Sequence, residues 1–228
     1  MIELKNVSFI VDGKKILDDV SIKFFDNTFT AITGQNGSGK STLTKLIIGI
    51  LQPTSGTIKY NGKDITNLSI TERVNLGLNY AFQQPVLFKG VTIKDLIDIA
   101  TKQKNSVTKA CEYLSKVGIC AKEYVNRCFD KTLSGGEQKR VELALSLAKP
   151  GDTLIFDEPE AGIDIWSFEK LSEIFKDEKC YIVVSHQEKL LSLADNIVVL
   201  NNGKIELQGK PKRVLKMFPK LQCKRLEV

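Results

Sequence analysis

Residues 34–42 read GQNGSGKST and fit the pattern GxxxxGK followed by Ser or Thr. The glycines let the backbone curl so that successive N–H groups point towards one anion. In such a loop Lys40 is expected to reach the β- and γ-phosphates of a nucleotide, and Ser41 to hold Mg²⁺. The sequence therefore predicts a nucleotide-binding loop, whose candidate residues are Gly34, Gln35, Asn36, Gly37, Ser38, Gly39, Lys40, Ser41 and Thr42.

The residues on both sides supply the context that this pattern requires. A short apolar strand is predicted at Phe29 to Thr33. After the loop, Leu43, Leu46 and Ile47 recur at helical spacing, and we predict that Pro53 and Gly56 end this helix. The positive end of such a helix points at the bound phosphate. A flexible glycine turn is the alternative interpretation, and the strand–loop–helix order argues against it.

The remaining chain divides into a β-rich beginning, a helical middle and an alternating end. Before residue 80 we predict two hairpins and one helix, and from 84 to 134 a helical insertion. A further helix is predicted from Glu137 to Ala148, and another near Ser167 to Phe175. Strands that alternate with helices indicate a mainly parallel sheet covered on both faces. The predicted strands are Ile2 to Phe9, Ile16 to Phe24, Thr57 to Tyr60, Thr153 to Phe156, Tyr181 to Val184, Ile197 to Leu200 and Lys204 to Leu207.

Composition excludes several classes of protein. The 228 residues are 42% hydrophobic and 26% charged, which is typical of a globular protein and not of a disordered chain or a collagen-like fibre. No apolar run reaches the roughly 18 residues of a membrane span. The N-terminus enters a strand pattern directly, so we expect no signal peptide and a cytoplasmic location. The net charge of +6 is scattered apart from the tail at Lys210 to Arg225, so no nucleic acid partner is expected. The five cysteines show no CxxC spacing and are interpreted as reduced structural thiols.

Two acids follow the apolar strand at Thr153 to Phe156. A buried parallel strand delivers its carboxyl end to the ligand crevice of the sheet. Asp157 would then reach the Mg²⁺ shell, and Glu158 could polarise a water for attack on the γ-phosphate. Alone, such a pair is more often a solvated turn; the phosphate loop favours the catalytic interpretation.

The single histidine, His186, follows the apolar strand YIVVS and should lie at the same sheet edge. A surface or packing role is the alternative to a γ-phosphate contact.

Ser134 precedes Gly135, Gly136 and Glu137 at the start of another predicted helix. Ser134 is a good N-cap, and this start is either a second anion-binding site or simply a capped helix.

Together these elements resemble the ATPase subunits of the ATP-binding cassette (ABC) superfamily. They occur in the family's order: the Walker A loop at 34–42, a glutamine loop at Gln83 in YAFQQP, the signature LSGGE at 133–137, Walker B at 154–158, a D-loop that ends in Asp164, and the switch histidine His186. Each of the later elements is weak alone, but the ordered set is highly specific and covers almost the whole chain.

The resemblance implies a P-loop ABC-ATPase fold with a mainly parallel core sheet, an antiparallel β subdomain and a helical insertion. Residues 1–83 and 135–228 would form the core and 84–134 the helical subdomain. Two copies would face head to tail, with ATP between the Walker A loop of one and Ser134 to Glu137 of the other. Gln83 would sense Mg²⁺ and the attacking water, and would couple the site to a partner at the helical insertion. Asp164 would communicate between the two sites, and the products would be ADP and phosphate.

Three departures from the family pattern bear on the particular branch. Val11 stands where an aromatic residue usually stacks on adenine, Glu137 replaces the commoner glutamine, and the D-loop reads EAGID. These features are similar to the SufC-like ATPases of iron–sulfur cluster assembly, and we favour that interpretation, with a SufB/SufD-like scaffold as partner. The alternative is the ATPase subunit of an ABC membrane transporter, located at the inner face of the membrane and bound to a permease. The segment from 40 to 65 suits a transporter cassette equally well. DNA-repair and translation-factor cassettes fit poorly, because the chain has one cassette and only about 90 residues between Thr42 and Leu133.

Overall fold

The computed structural model describes residues 1–104, 107–161 and 165–223. Two sheets and the helices around them make up these residues. The strands are β1 (Ile2–Val11), β2 (Lys14–Phe24), β3 (Phe29–Gly34), β4 (Ser55–Tyr60), β5 (Lys63–Asp64), β6 (Leu78–Ala81), β7 (Thr153–Asp157), β8 (Cys180–Val184), β9 (Asn196–Asn201) and β10 (Lys204–Gly209). The helices are α1 (Lys40–Ile48), α2 (Ile70–Asn75), α3 (Ile93–Thr101), α4 (Val107–Lys116), α5 (Ala121–Tyr124), α6 (Gly135–Ala148), α7 (Ile165–Ile174), α8 (Glu188–Leu193) and α9 (Pro211–Cys223).

The smaller sheet is antiparallel and has the strand order β2-β1-β4-β5. The turn between β1 and β2 places Asp12 at φ 48° and Gly13 at φ 75°. Two successive residues with positive φ are typical of the tight hairpin turn that matches the twist of its strands. The hairpin predicted from Asp12-Gly13 is therefore confirmed.

The larger sheet has the order β10-β9-β3-β8-β7-β6. All neighbours from β9 to β6 are parallel, and only β10 pairs antiparallel with β9. The central strands β3, β7 and β8 are buried along their whole length. The predicted mainly parallel sheet is confirmed, and the carboxyl ends of its strands meet at one edge.

Apolar side chains cover both faces of the larger sheet. One core lies between the sheet and α3, α4 and α6, and includes Phe156 and Leu143. The other lies between the larger sheet, α1 and the smaller sheet, and includes Ile155 and Leu46. Because Ile155 and Phe156 are neighbours on β7, their side chains point to opposite faces and one strand serves both cores.

Sequence patterns missed some local structure at the end of α1. The helix ends at Gly49, which is left-handed with φ 86°, and not at Pro53 as predicted. Helix α2 follows and begins with a capping box between Ser69 and Glu72, so the region before residue 80 holds two helices where one was predicted. Its Arg73 is fully buried and donates to the carbonyls of Leu46 and Ile47 at 2.7 and 2.8 Å. Arg73 thus gives the Ile47 carbonyl a donor at the end of α1 and gives the Leu46 carbonyl a second donor besides the Gly49 N–H.

Two further observations bear on the composition. No helix within the described ranges is long and apolar enough to cross a membrane. Cys111, Cys120, Cys128 and Cys180 are free thiols, of which Cys180 is buried and Cys120 exposed. Burial raises the pKa of the Cys180 thiol to about 11, so this cysteine is a packing residue.

Candidate nucleotide site

The loop between β3 and α1 has a backbone that glycine alone accommodates at two positions. Gly34 has φ 148°, and a Cβ there would lie 2.1 Å from the Leu200 carbonyl oxygen. Gly39 has φ 100°, and its Cβ would lie 2.7 Å from the Leu17 side chain. The loop is therefore wedged between strand β9 and strand β2, and its curl is fixed by packing as well as by sequence.

Lys40 lies inside this loop. Its side chain is buried, and Nζ donates to the carbonyl oxygens of Gly34 and Gln35 at 3.1 and 2.8 Å. Burial lowers the pKa of Lys40, while the charges of Glu158 and Asp157 oppose that shift. The ammonium thus lies within the phosphate loop and is held there by two uncharged acceptors that an anionic phosphate could replace.

Ser38 shows that the loop fits an anion. Its Oγ is buried and makes no hydrogen bond within the described residues. Buried hydroxyls are almost always hydrogen-bonded, so an unpaired one at the centre of a glycine loop requires an explanation. A phosphate oxygen bound in the loop would accept this hydrogen bond.

Asp157 ends β7 beside the start of α1. Its side chain is buried, and Oδ1 accepts a hydrogen bond from the Ser41 hydroxyl at 3.3 Å. The hydroxyl of Tyr80 donates to Oδ2 at 3.2 Å. Burial raises the pKa of Tyr80, so it remains a neutral donor. Hydroxyl and carboxylate oxygens are the ligands that Mg²⁺ prefers, and Ser41 and Asp157 together fit that ion.

Glu158 follows in a strained conformation. Its φ is 51°, in the left-handed region that a non-glycine residue rarely adopts, and its N–H donates to the Val184 carbonyl at 3.0 Å. Its carboxylate accepts a hydrogen bond from Gln83 Nε2 at 2.8 Å, and His186 Nε2 lies 3.7 Å from Glu158 Oε1. Burial, followed by the charge of Lys40, lowers the pKa of His186, so the imidazole is neutral at pH 7. The fold thus brings together Gln83, Glu158 and His186, and backbone strain is typical of such functional positions.

A buried acid behind these residues escaped the sequence analysis. Glu160 is 5% exposed and accepts a hydrogen bond from the Ser185 hydroxyl, which in turn accepts one from the Gln187 N–H at 3.0 Å. Burial raises the pKa of Glu160. These bonds flank His186 on both sides and fix the backbone that carries it.

The signature segment forms a capped helix start. Ser134 Oγ accepts from the Glu137 N–H at 3.3 Å, and Glu137 Oε2 accepts from the Ser134 N–H at 2.7 Å. Gly135 and Gly136 form the first turn of α6. The Tyr124 hydroxyl donates to the other oxygen of Glu137. The hydrogen bond from Tyr124, then the one from the Ser134 backbone, lower the pKa of Glu137 to about 2.

These contacts give a direct prediction for the Tyr124→Phe protein. Without the phenol, the pKa of Glu137 should rise from about 2 towards the ordinary value of 4.5. A lowered carboxyl pKa contributes stability above pH 4.5 that is lost as the pH falls towards 2, so the variant should lose stability at neutral pH and differ less from the parent at pH 3. Titration of the Glu137 carboxyl by NMR, with thermal unfolding at both pH values, tests this. Tyr113→Phe is the matched control, and an unchanged Glu137 pKa in Tyr124→Phe would contradict the prediction.

Two candidate residues remain: one lies away from this cluster, and the other lies outside the described ranges. Val11 is 43% exposed at the end of β1, on the strand pair whose Leu17 contacts Gly39. Asp164 lies outside the residues that the structure describes.

A glycine loop between a parallel strand and a helix, with two acids at the carboxyl end of another strand of the same sheet, defines a P-loop nucleotide-hydrolysing protein. The family model described as ABC transporter matches residues 17–161. The chain belongs to this family and is an ABC-type ATPase, with ATP and Mg²⁺ as substrate and metal. The predicted ABC-ATPase fold and ATP hydrolase activity are thereby confirmed.

Two relatives agree along nearly the whole chain. An uncharacterised ABC transporter ATP-binding protein of Methanocaldococcus jannaschii is 35% identical, over 96% of this chain and 93% of its own length. An energy-coupling factor transporter ATP-binding protein of Streptococcus pyogenes is 32% identical, over 100% of this chain and 87% of its own.

Two solved structures agree with the fold. The chain is similar to the dimeric structure of a bacterial ABC transporter cassette, with a TM-score of 0.84 and 25% identity over 92% of this chain and 99% of the other. A post-hydrolysis structure of the same cassette, bound to ADP and phosphate, matches with a TM-score of 0.82 and 25% identity over the same shares of the two chains.

Proposed function

We propose that the chain is the ATP-binding subunit of an ABC transporter, in which two copies bind ATP head to tail and drive a membrane permease. The observation that carries this proposal is the glutamine loop. Gln83 contacts Glu158 at 2.8 Å, and the preceding Phe82 lines an exposed apolar groove. One short segment therefore touches both the hydrolytic carboxylate and a surface suited to a partner.

In this proposal the side chains around the loop divide the work of hydrolysis. Lys40 and the loop N–H groups would bind the phosphates. Ser41, Gln83 and Asp157 would hold Mg²⁺, which would supply positive charge to neutralise the phosphates. Glu158 accepts the proton of the attacking water, and His186 donates a hydrogen bond to the γ-phosphate. The 2.8 Å bond from Gln83 to Glu158 links the glutamine loop to the base, so a movement of this loop would reorient the carboxylate.

Dimerisation would complete the site. Ser134, Gly135, Gly136 and Glu137 lie at the N-terminus of α6, where the backbone N–H groups of Gly135 and Gly136 would meet the phosphates of ATP on a second copy. Val11 would contact adenine without aromatic stacking, and Asp164 would lie at the contact between the two sites. The two dimeric structures named above support this arrangement. We also propose 84–134, with α3, α4 and α5, as the helical subdomain that carries the partner surface.

The groove beside the glutamine loop has the character of a docking surface for an apolar segment. It has a volume of about 410 Å³ and contains Phe82, Val86, Phe88 and Ile99. These side chains are 43%, 52%, 43% and 71% exposed. Contiguous exposed apolar residues mark interaction sites. In the proposed function an apolar segment of a membrane permease occupies this groove, in agreement with the description of both relatives as transporter ATP-binding proteins.

The Ile99→Asp protein tests this surface. An aspartate in the groove would be desolvated by an apolar partner, so we expect the tagged variant to lose its membrane partner when it is isolated in mild detergent, with an unchanged melting temperature because Ile99 is exposed. Val107→Asp, an equally simple change of a half-exposed apolar residue on α4, is the control and should keep the partner. Mass spectrometry of the isolated complex identifies the partner. Retention of a membrane partner by Ile99→Asp would remove the groove from this role.

The SufC-like interpretation is the second candidate. Val11 at the adenine position and Glu137 in the signature are the observations that favour it, while both relatives described above are transporter proteins. A SufC-like ATPase would bind a soluble SufB/SufD-like scaffold. The same isolation experiment separates the two functions, because a soluble scaffold stays bound without detergent and a permease does not.

A further inference from the structure

We infer that the buried ion pair between Lys139 and Glu142 is a positioning device that fixes the backbone of the glutamine loop and thereby ties helix α6 to Glu158. This inference rests on the proposed roles of Gln83 and Glu158. It assigns a role in hydrolysis to two residues whose hydrogen bonds go to the glutamine loop and to each other.

The contacts of the pair are directed at the loop. Lys139 Nζ donates to the carbonyl oxygens of Phe82 and Gln83 at 2.6 and 3.2 Å. Glu142 Oε1 accepts from the Phe82 N–H at 3.0 Å, and its Oε2 lies 3.0 Å from Lys139 Nζ. Both peptide groups that flank the Phe82 Cα are therefore held by side chains of α6.

The pair is buried, so little net stability is expected from the ion pair itself. The Lys139 and Glu142 side chains are 3% and 10% exposed. Burial raises the pKa of Glu142, and the Lys139 charge opposes that shift. Buried ion pairs recover their desolvation cost only when geometry is good and further hydrogen bonds are made, and replacing them with apolar residues is often neutral. Here the further hydrogen bonds all go to the glutamine loop.

The position of the pair connects three parts of the molecule. Lys139 and Glu142 are the fifth and eighth residues of the 14-residue helix α6, which begins with the glycines of the signature. Glu142 and Phe82 also line the apolar groove. From Gln83 the next contact is the 2.8 Å bond to Glu158. A displacement of α6 or an occupant of the groove therefore reaches the hydrolytic carboxylate through this pair.

The experiment replaces the pair with apolar residues of similar size, in the double variant Lys139→Met/Glu142→Leu. We expect it to fold and to bind ATP with a Kd within about twofold of the parent, because the phosphate loop is intact. Its kcat should fall at least about tenfold, since displacing a reacting group by about an ångström has effects of that size or larger. An unchanged kcat overturns the inference.

A second arm shows whether the effect passes through Gln83. In the Gln83→Ala background the double substitution should cause no further loss of kcat, because the residue it positions is absent. An additional tenfold loss in that background overturns the inference. Should the double variant fail to fold, the single variant Glu142→Met removes the acceptor of the Phe82 N–H while Lys139 keeps its two carbonyl acceptors. Its kcat is measured in the same two backgrounds with the same criteria.

Amide exchange separates this inference from the proposed function. Mass spectrometry should find faster deuterium exchange over residues 80–84 in the double variant, because the Phe82 N–H loses its acceptor. Unchanged exchange there overturns the inference. If the parent protein itself fails to hydrolyse Mg·ATP, the proposed function fails, while this readout still decides whether the pair fixes the loop.

Discussion

The Glu158→Gln protein is expected to bind ATP and to hydrolyse it at least about 100-fold more slowly than the parent, which is the usual size of a general-base effect. An amide has the shape of the carboxylate but does not accept the proton of the attacking water. Glu158 lies between Gln83 and His186, at 2.8 and 3.7 Å, at the carboxyl end of β7. Removing one negative charge from this cluster leaves the phosphate loop unchanged, so binding should persist.

Because binding persists while hydrolysis stops, the variant should accumulate as an ATP-bound dimer. Size-exclusion chromatography with and without Mg·ATP measures the dimer, and phosphate release measures turnover. Glu160→Gln is the matched control, since Glu160 is an acid of the same segment that is buried and bonds to Ser185. It should lose no more than a few-fold in turnover. Hydrolysis at the parental rate by Glu158→Gln would remove Glu158 from the role of base.

The phosphate loop could be predicted from sequence because its determinants are local. Gly34 and Gly39 are required by positive φ and by backbone packed against them, and Lys40 and Ser41 follow at fixed spacing. The apolar strand before Asp157 likewise predicts that the acids end a buried strand at the ligand edge. Local patterns of this kind specify which residues enter the site.

The supporting contacts could not be predicted in this way, because they join residues far apart in the chain. Tyr80 reaches Asp157 across 77 positions, and Lys139 reaches Phe82 across 57. Both pairings depend on the strand order β7-β6 and on the packing of α6 beside β6. From sequence alone, a tyrosine such as Tyr80 is equally typical of core packing, and a lysine such as Lys139 is equally typical of a solvated surface.

Helix α2 was missed even though the sequence contains a local pattern that predicts its start. Ser69 and Glu72 stand at capping-box spacing, and the structure shows both reciprocal hydrogen bonds. The helix has only 6 residues, too few for an apolar period to be recognised, and its Arg73 is buried. The buried side of this short helix carries an arginine, which is held by hydrogen bonds instead of apolar contacts. For this reason the apolar pattern did not predict the helix.

Single residues that depart from the family pattern are weak evidence for the branch of the family to which the chain belongs. Val11 and Glu137 suggested the SufC-like interpretation, yet the structure shows Glu137 satisfied by Tyr124 and by its own capping box. A glutamate at that position is therefore explained by local hydrogen bonding, and it carries less information about the partner than the groove beside Phe82 does. In the proposed function the groove surface selects the partner, and the sequence pattern there shows only scattered apolar residues.

The Lys40→Met protein should lose tight ATP binding, with a Kd at least about 100-fold weaker, or about 2.8 kcal/mol. Methionine keeps most of the apolar stem and removes the ammonium that donates to Gly34 and Gln35. Losses of about 2 to 5 kcal/mol are usual when one partner of a buried charge pair is truncated. Because the pKa of Lys40 is lowered by burial, its charge is held at a desolvation cost that binding of the phosphates would repay.

Lys45→Met is the matched control, since Lys45 lies in the last turn of the same helix α1. It should bind ATP within about twofold of the parent. Calorimetry with Mg·ATP measures both variants, and thermal unfolding checks that the loop of Lys40→Met remains folded after the two carbonyls lose their donor. A folded Lys40→Met protein that binds ATP as tightly as the parent would show that the loop N–H groups alone hold the phosphates. The role of the buried ammonium would then be to stabilise the loop backbone through its two carbonyl contacts, and not to bind the nucleotide.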